Sequence, residues 1–338
     1  MIRLVIAGLF SLFGAFGGAV AQDFYAGKTI TIVVSGGGQY EGYARTFSHF
    51  MPKYIPGRPN MIVQQMPGGG GLRAANFMGR IAPRDGTFIA GTHGAVLTAG
   101  LLSPEVAEFD VSKFSWIGNA TQDTYLAYVW HSAPVKTFEE VRNTELIVGG
   151  TSVGGAGIDL AIIAKELLGF KLKIVSGYKT SPETKLAMER GEIHGTMGNA
   201  ISSLMASDWL ATGKVRVLLQ HGAKPHRDFP DVPLFRSFAR TDAERQILDI
   251  INVRQEIAKP YFAPPSIPAD RLAILRRAFQ SALADPDFRK EAEHQKMELD
   301  DPLSGEELAE VVTRVSQTPP AVVRQMVDLF QKYNDKKE

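Results

Sequence analysis

Three glycine-rich turns hold the residues best suited to chemistry in this chain. They are Ser35-Gly36-Gly37-Gly38-Gln39-Tyr40, Met66-Pro67-Gly68-Gly69-Gly70-Gly71, and Gly149-Gly150-Thr151-Ser152-Val153-Gly154-Gly155-Ala156-Gly157. Each follows a short apolar run rich in β-branched residues and precedes a stretch of helical periodicity. Glycine removes the Cβ that would keep backbone N–H groups from turning toward one point. The first turn of a helix leaves its N–H donors unpaired and partly positive, so such turns hold anions. In open α/β sheets they lie at the carboxyl ends of strands, where ligands sit. Three such turns point to a small anion gripped by main-chain donors.

Named nucleotide motifs do not fit. A Walker A loop needs G-x-x-x-x-G-K-[ST], and here Gly150 to Gly155 is followed by Ala156. None of the turns has the G-x-G-x-x-G spacing, and no cofactor is expected. Gly150-Thr151-Ser152-Val153-Gly154 does match the G-x-S-x-G nucleophile elbow. The alternative reading is therefore an exported serine hydrolase using Ser152, completed by Asp208 or Asp231 and then His226 or His294. Both histidines lie in charged surroundings that read as solvated. His93, in Gly91-Thr92-His93-Gly94 directly after a strand, stands where a ligand contact would be. His131, His194 and His221 lack metal-ligand spacing.

Composition narrows the field. The 338 residues include 37 Lys+Arg against 36 Asp+Glu, a net charge of +1, so nothing attracts a phosphate backbone and nucleic acid is not expected as a partner. Zero cysteine excludes disulfides, thiol nucleophiles and cysteine-ligated metals. With 44% hydrophobic and 22% charged residues, the chain fits neither a disordered protein nor a polytopic membrane protein.

The elements that must position the turns follow from periodicity. Strands are expected at Thr29–Val34, Met61–Gln65, Thr87–Gly91, Leu146–Val148, Leu172–Val175, Ile193–Met197 and Val215–Leu219, with helices between them. That alternation argues for parallel βαβ units. From about Ala269 to Lys332 the pattern is helical, with Pro286, Pro302, Pro319 and Pro320 marking helix starts. Thr124–Trp130 and Ala223–Phe235 read as crossings, which divides the chain into 24–124 plus 230–338 and 125–229. Residues 1–21 read as a secretory signal: Arg3, an uncharged apolar run, then Ala19-Val20-Ala21, with cleavage expected after Ala21 and export to a periplasm.

In their order along the chain, these pieces resemble the solute-binding proteins of tripartite tricarboxylate transporters, the Bug-type periplasmic family. The resemblance rests on Ile30 to Arg45, Pro67 to Gly71, Ala82-Pro83-Arg84-Asp85-Gly86-Thr87, Ser132 to Thr137, Gly150 to Gly157, Tyr178-Lys179, Gly191-Glu192-Ile193 and Phe262-Ala263-Pro264. It implies an α/β Venus-flytrap architecture of two lobes, each a mainly parallel sheet flanked by helices, with a helical C-terminal tail. It also implies a monomer that binds a small organic carboxylate and serves a permease with a large and a small membrane subunit. Carried over to this chain, the ligand contacts would be Ser35, Gly36, Gly37, Gly38, Gln39, Tyr40, Gly69, Gly70 and Gly71 from one lobe. Thr151, Ser152, Val153, Gly154 and Gly155 would come from the other, with Thr92, His93, Tyr178 and Asn199 beside them. Two departures touch the pocket: the first loop lacks the family's proline, and Gly198-Asn199 stands where many members carry an acid.

Overall fold

The computed structural model describes residues 24–36, 39–102, 106–151, 153 and 155–335. Residues 1–21, expected as a secretory signal, and the expected ligand contacts Gly37, Gly38, Ser152 and Gly154 lie outside the described residues. No described helix is long and apolar enough to cross a membrane.

The chain builds two lobes, each around its own sheet. Strands β1 (Thr29–Val34), β2 (Asn60–Gln65), β3 (Phe88–Gly91) and β4 (Ser115–Asn119) enter the first sheet. Strands β5 (Tyr125–Trp130), β6 (Leu146–Gly150), β7 (Leu172–Ser176), β8 (Gly195–Ala200) and β9 (Val215–His221) form the second. The chain then returns with β10 (Pro260–Ala263) and β11 (Leu303–Ser304), which give a six-stranded order β11-β4-β10-β3-β1-β2 beside the five-stranded order β7-β6-β8-β5-β9.

Both sheets are mixed. Parallel pairing joins β1 to β2 and β3, and β6 to β7 and β8, which are the βαβ units read from the sequence. Strands β4, β5, β9, β10 and β11 pair antiparallel, because they belong to segments that enter or leave a lobe and approach the sheet from its other end. Helices cover the parallel part on both faces, so β1 is buried continuously from Ile30 to Val34 with no alternation.

Local signals start the helices. Thr241 and Glu244 form a reciprocal capping box on helix Asp242–Glu256, and Ser304 with Glu307 does the same for Gly305–Ser316. Pro286 and Pro320 occupy first helical positions, where the missing N–H is not needed. Helix Gln39–Phe50 buries Phe47 against Phe279, the rings stacked with centroids 4.5 Å apart.

Chain segments after residue 230 feed both cores. Phe235, Phe238, Ile247, Leu248 and Ile251 pack with Phe138 and Phe170 under the second sheet, while Val253 and Ile257 pack with Val33 and Phe262 under the first. Helix Asp242–Glu256 therefore runs from one lobe into the other. Helix Pro320–Asp335 returns Val322 and Met326 to the second core.

Candidate functional site

The carboxyl end of β6, the first turn of helix Gln39–Phe50, and strand β8 open on one cavity of about 610 Å³. Gln39 and Tyr40 line it from the first lobe, and Gly150, Thr151 and Gly155 from the second. Asn199 and Thr196 on β8 complete that wall. A second hollow of about 200 Å³ adjoins it and shares Tyr40, Asp123, Tyr125, Ala156 and Lys259; His93, Gly94 and Arg254 extend it. Residues from both lobes thus line a single space.

Of the residues singled out from sequence, Gln39, Tyr40, Thr151, Gly155 and Asn199 line the cavity, and His93 lines the adjoining hollow. Ser35 is buried and lines neither hollow. A Cβ at Gly71 would lie 3.0 Å from Val96 Cγ2 and 3.3 Å from Ser35 Cβ, and Gly71 has φ +96°, so the first two glycine turns touch through a position only glycine fills easily. A Cβ at Gly36 would meet nothing within 4 Å. Gly69 lines an outer groove with Arg73 and Arg80 and does not line the cleft, and Gly70 follows it in the same short 3₁₀ turn. Thr92 is buried, its N–H donating to Pro260 O at 3.2 Å and its hydroxyl without a hydrogen-bond partner among the described residues, and it lines neither hollow. Val153 is exposed at the surface. Tyr178 packs beneath Gly149, where a Cβ would come within 3.1 Å of its ring.

The two bases considered for a hydrolase stand elsewhere. His226 lines a separate hollow by the crossing strand, its Nδ1 accepting from Asp228 N at 3.2 Å, and His294 is exposed at the end of its helix. Neither lines the cavity bordered by Thr151 and Gly155.

Sequence reasoning missed the charged floor. Asp123, at the entry to β5, lines the cavity and both neighbouring hollows. Burial first, then the nearby Glu298, pushes its carboxyl up to about 7, while Lys259 opposes the shift. Lys259 is itself buried, its Nζ 4.6 Å from the centroid of the Tyr40 ring, and burial lowers its pKa against the pull of Asp123 and Glu298. Burial also holds the His93 imidazole below its ordinary value, helped by the charges of Lys259 and Arg254, so His93 is neutral at neutral pH. Its ring meets Tyr40 edge-on at 5.4 Å.

Arg254 ties the lobes together. Its Nε donates to Thr98 Oγ1 (2.9 Å) on first-lobe helix Ala95–Leu102, and Nη1 donates to Asp159 (2.8 Å) on second-lobe helix Ala156–Ile162. Gly94 sits against the same segment: a Cβ there would lie 2.6 Å from Ile257 O and 2.8 Å from Arg254 O, both backbone. Gly94→Ala should therefore destabilise the protein by about 1–3 kcal/mol, read in a urea titration, because neither neighbour can rotate away.

The chain matches no protein-family model and no curated protein. Among solved structures, a TctC solute-binding protein from Polaromonas matches with TM-score 0.70 at 18% identity, over 91% of this chain and 99% of that one. MatC of Rhodopseudomonas palustris, solved with malate, matches with TM-score 0.60 at 23% identity, over 88% and 99% of the two chains. Another R. palustris protein, solved with adipate, matches with TM-score 0.60 at 16% identity over 89% and 97%. Across nearly its whole described length, the chain has the two-lobed fold of the TctC/Bug-type periplasmic binding proteins.

Proposed function

We propose that this chain is a periplasmic solute-binding protein, not an enzyme. It captures a small organic carboxylate between its lobes and delivers it to a tripartite tricarboxylate-type transporter with a large and a small membrane subunit. The observation that carries this reading is the meeting of Gln39 and Tyr40 with Gly150, Thr151 and Gly155, from opposite lobes, around one cavity. Backbone N–H groups and hydroxyls suit a carboxylate, and each charge-assisted hydrogen bond contributes about 1.5–3 kcal/mol, so a few support micromolar binding. A ligand touching both lobes favours the closed arrangement by its differential affinity, which gives the permease a distinct surface to recognise. The malate and adipate held by proteins of the same fold are acids of this class.

The protein works as an exported monomer after cleavage behind Ala21. Sequence reading divides it into 24–124 plus 230–338 and 125–229. Core membership favours moving 235–251 and 320–335 to the second lobe, with helix Asp242–Glu256 as a crossing. In the first lobe Ser35 and Gly71 support the ligand-facing turn, with Gly36 and Gly70 beside them. A thermal-shift screen over mono-, di- and tricarboxylates tests the function. The right acid at a hundred times its Kd should stabilise the protein by about 2.7 kcal/mol. Thr151→Val should weaken that acid about tenfold by deleting one cleft hydroxyl. Stabilisation by sugars with none by any acid would reject the reading, and fluorophosphonate labelling at Ser152 would restore the hydrolase.

A further inference from the structure

Two cations line the cleft among the described residues, and they differ in what they already face. Lys259 is buried, with the carboxylates of Asp123 and Glu298 acting on it. Lys296 is exposed and makes no ion pair or side-chain hydrogen bond among the described residues. The second-lobe wall of the same cavity holds the hydroxyls of Ser181, Thr184, Ser202 and Ser203 and no cation.

The backbone under Lys296 is strained for a lysine. Helix Pro286–His294 ends in a Schellman turn, in which Met297 N–H donates to Ala292 O at 2.8 Å and Lys296 N–H donates to Glu293 O at 3.0 Å. Lys296 takes the left-handed position of that turn, φ +56°, where glycine is usual because a Cβ is crowded there. Two contacts tie the turn to helix Gln39–Phe50: Tyr43 Oη donates to Glu298 O, and Thr46 Oγ1 donates to Met297 Sδ at 3.7 Å. The first residues of that helix, Gln39 and Tyr40, line the cavity from the same lobe. Arg58, Ser266 and Asp301 also have positive φ, and none of them lines the cavity. A strained position at a cleft points to something the side chain does that glycine would not. Here the side chain supplies an ammonium with no carboxylate of its own.

We propose that Lys296 is a specificity-determining residue of the cleft. Its ammonium pairs with the anionic ligand from the first-lobe rim, and the left-handed turn presents it there at the expense of stability. The inference rests on the organic-acid reading above and adds a residue through which the cleft selects for negative charge.

The test uses the acid that ranks highest in the thermal-shift screen, with calorimetry for affinity. Lys296→Gly should raise the unfolding midpoint of the ligand-free protein by about 1–3 °C and weaken that acid about threefold or more. Lys296→Gln should weaken the acid about as much while leaving the midpoint within about 1 °C, and Lys296→Arg should keep most of the affinity. The loss in Lys296→Gln should shrink as NaCl rises from about 20 to about 500 mM, because an exposed pair is screened. A smaller loss in the Gly or Gln variant overturns the inference and keeps the organic-acid reading. So does a loss that salt does not change, or an Arg variant as weak as the Gln variant. A Gly variant less stable than the unaltered protein also overturns it, since the lysine would then serve the fold. If the unaltered protein binds sugars and no acid, the organic-acid reading fails and the inference with it.

Discussion

Arg254→Met is expected to lower the unfolding free energy by about 3–5 kcal/mol, measured by urea titration. The side chains of Arg254 and Asp159 are 16% and 2% exposed, so the substitution strips a guanidinium from a carboxylate that has almost no water to replace it. It also removes the donor to Thr98 Oγ1, and with it a link between helices of opposite lobes. Removing one partner of a buried pair costs more than the pair contributes when intact. The double variant Arg254→Met/Asp159→Asn should therefore recover part of the loss, since asparagine leaves no charge behind. A loss below about 1 kcal/mol for the single variant would mean that solvent reaches the pair and screens it.

Asp123→Asn is expected to do the opposite, and only above a certain pH. In the folded chain the Asp123 carboxyl sits at about 7 against 3.8 for the free side chain, through burial first and Glu298 second. Between those values the folded state holds a proton that the unfolded state has released, so this residue makes the fold less stable as pH rises. The full difference, of order three pH units, corresponds to at most about 4 kcal/mol. At about pH 4 wild type and variant should be alike. Toward neutrality the variant should gain, reaching its full advantage above about pH 7. Paired urea titrations across that range check the sign. A variant less stable than wild type at alkaline pH would show instead that the Asp123 charge is well paired by Lys259.

Much of the fold was legible because its causes are local. The run Thr29 to Val34, the glycines after it and the apolar spacing of Tyr43 and Phe47 specify a strand, a turn and a helix without help from the rest of the chain. Strand β4 was not legible: Ser115-Trp116-Ile117-Gly118-Asn119 mixes polar and apolar residues, yet all five are buried because the sheet and its flanking helices enclose it. Helix Asp242–Glu256 carried a readable capping box, but its function as a crossing depends on which core each of its faces meets.

The site divides in the same way. Gln39, Tyr40, Thr151 and Gly155 could be named from sequence because a glycine turn between strand and helix must lie at the carboxyl end of its strand. Gly69 could not be excluded from sequence, since the side of the lobe a turn faces is set by how the following helix packs. Asp123, Lys259 and Glu298 had no local signature at all. They are isolated charges far apart in the chain, and each resembles a solvated residue until the fold removes the water.

The amino-acid sequence by itself determined the βαβ units, the glycine turns between strand and helix and the lack of any thiol chemistry, since these follow from dihedral freedom, periodicity and composition. Only the tertiary structure decided which turns share a cavity and what charge that cavity carries. Convergence and desolvation arise between distant segments, and neither exists until the lobes are packed.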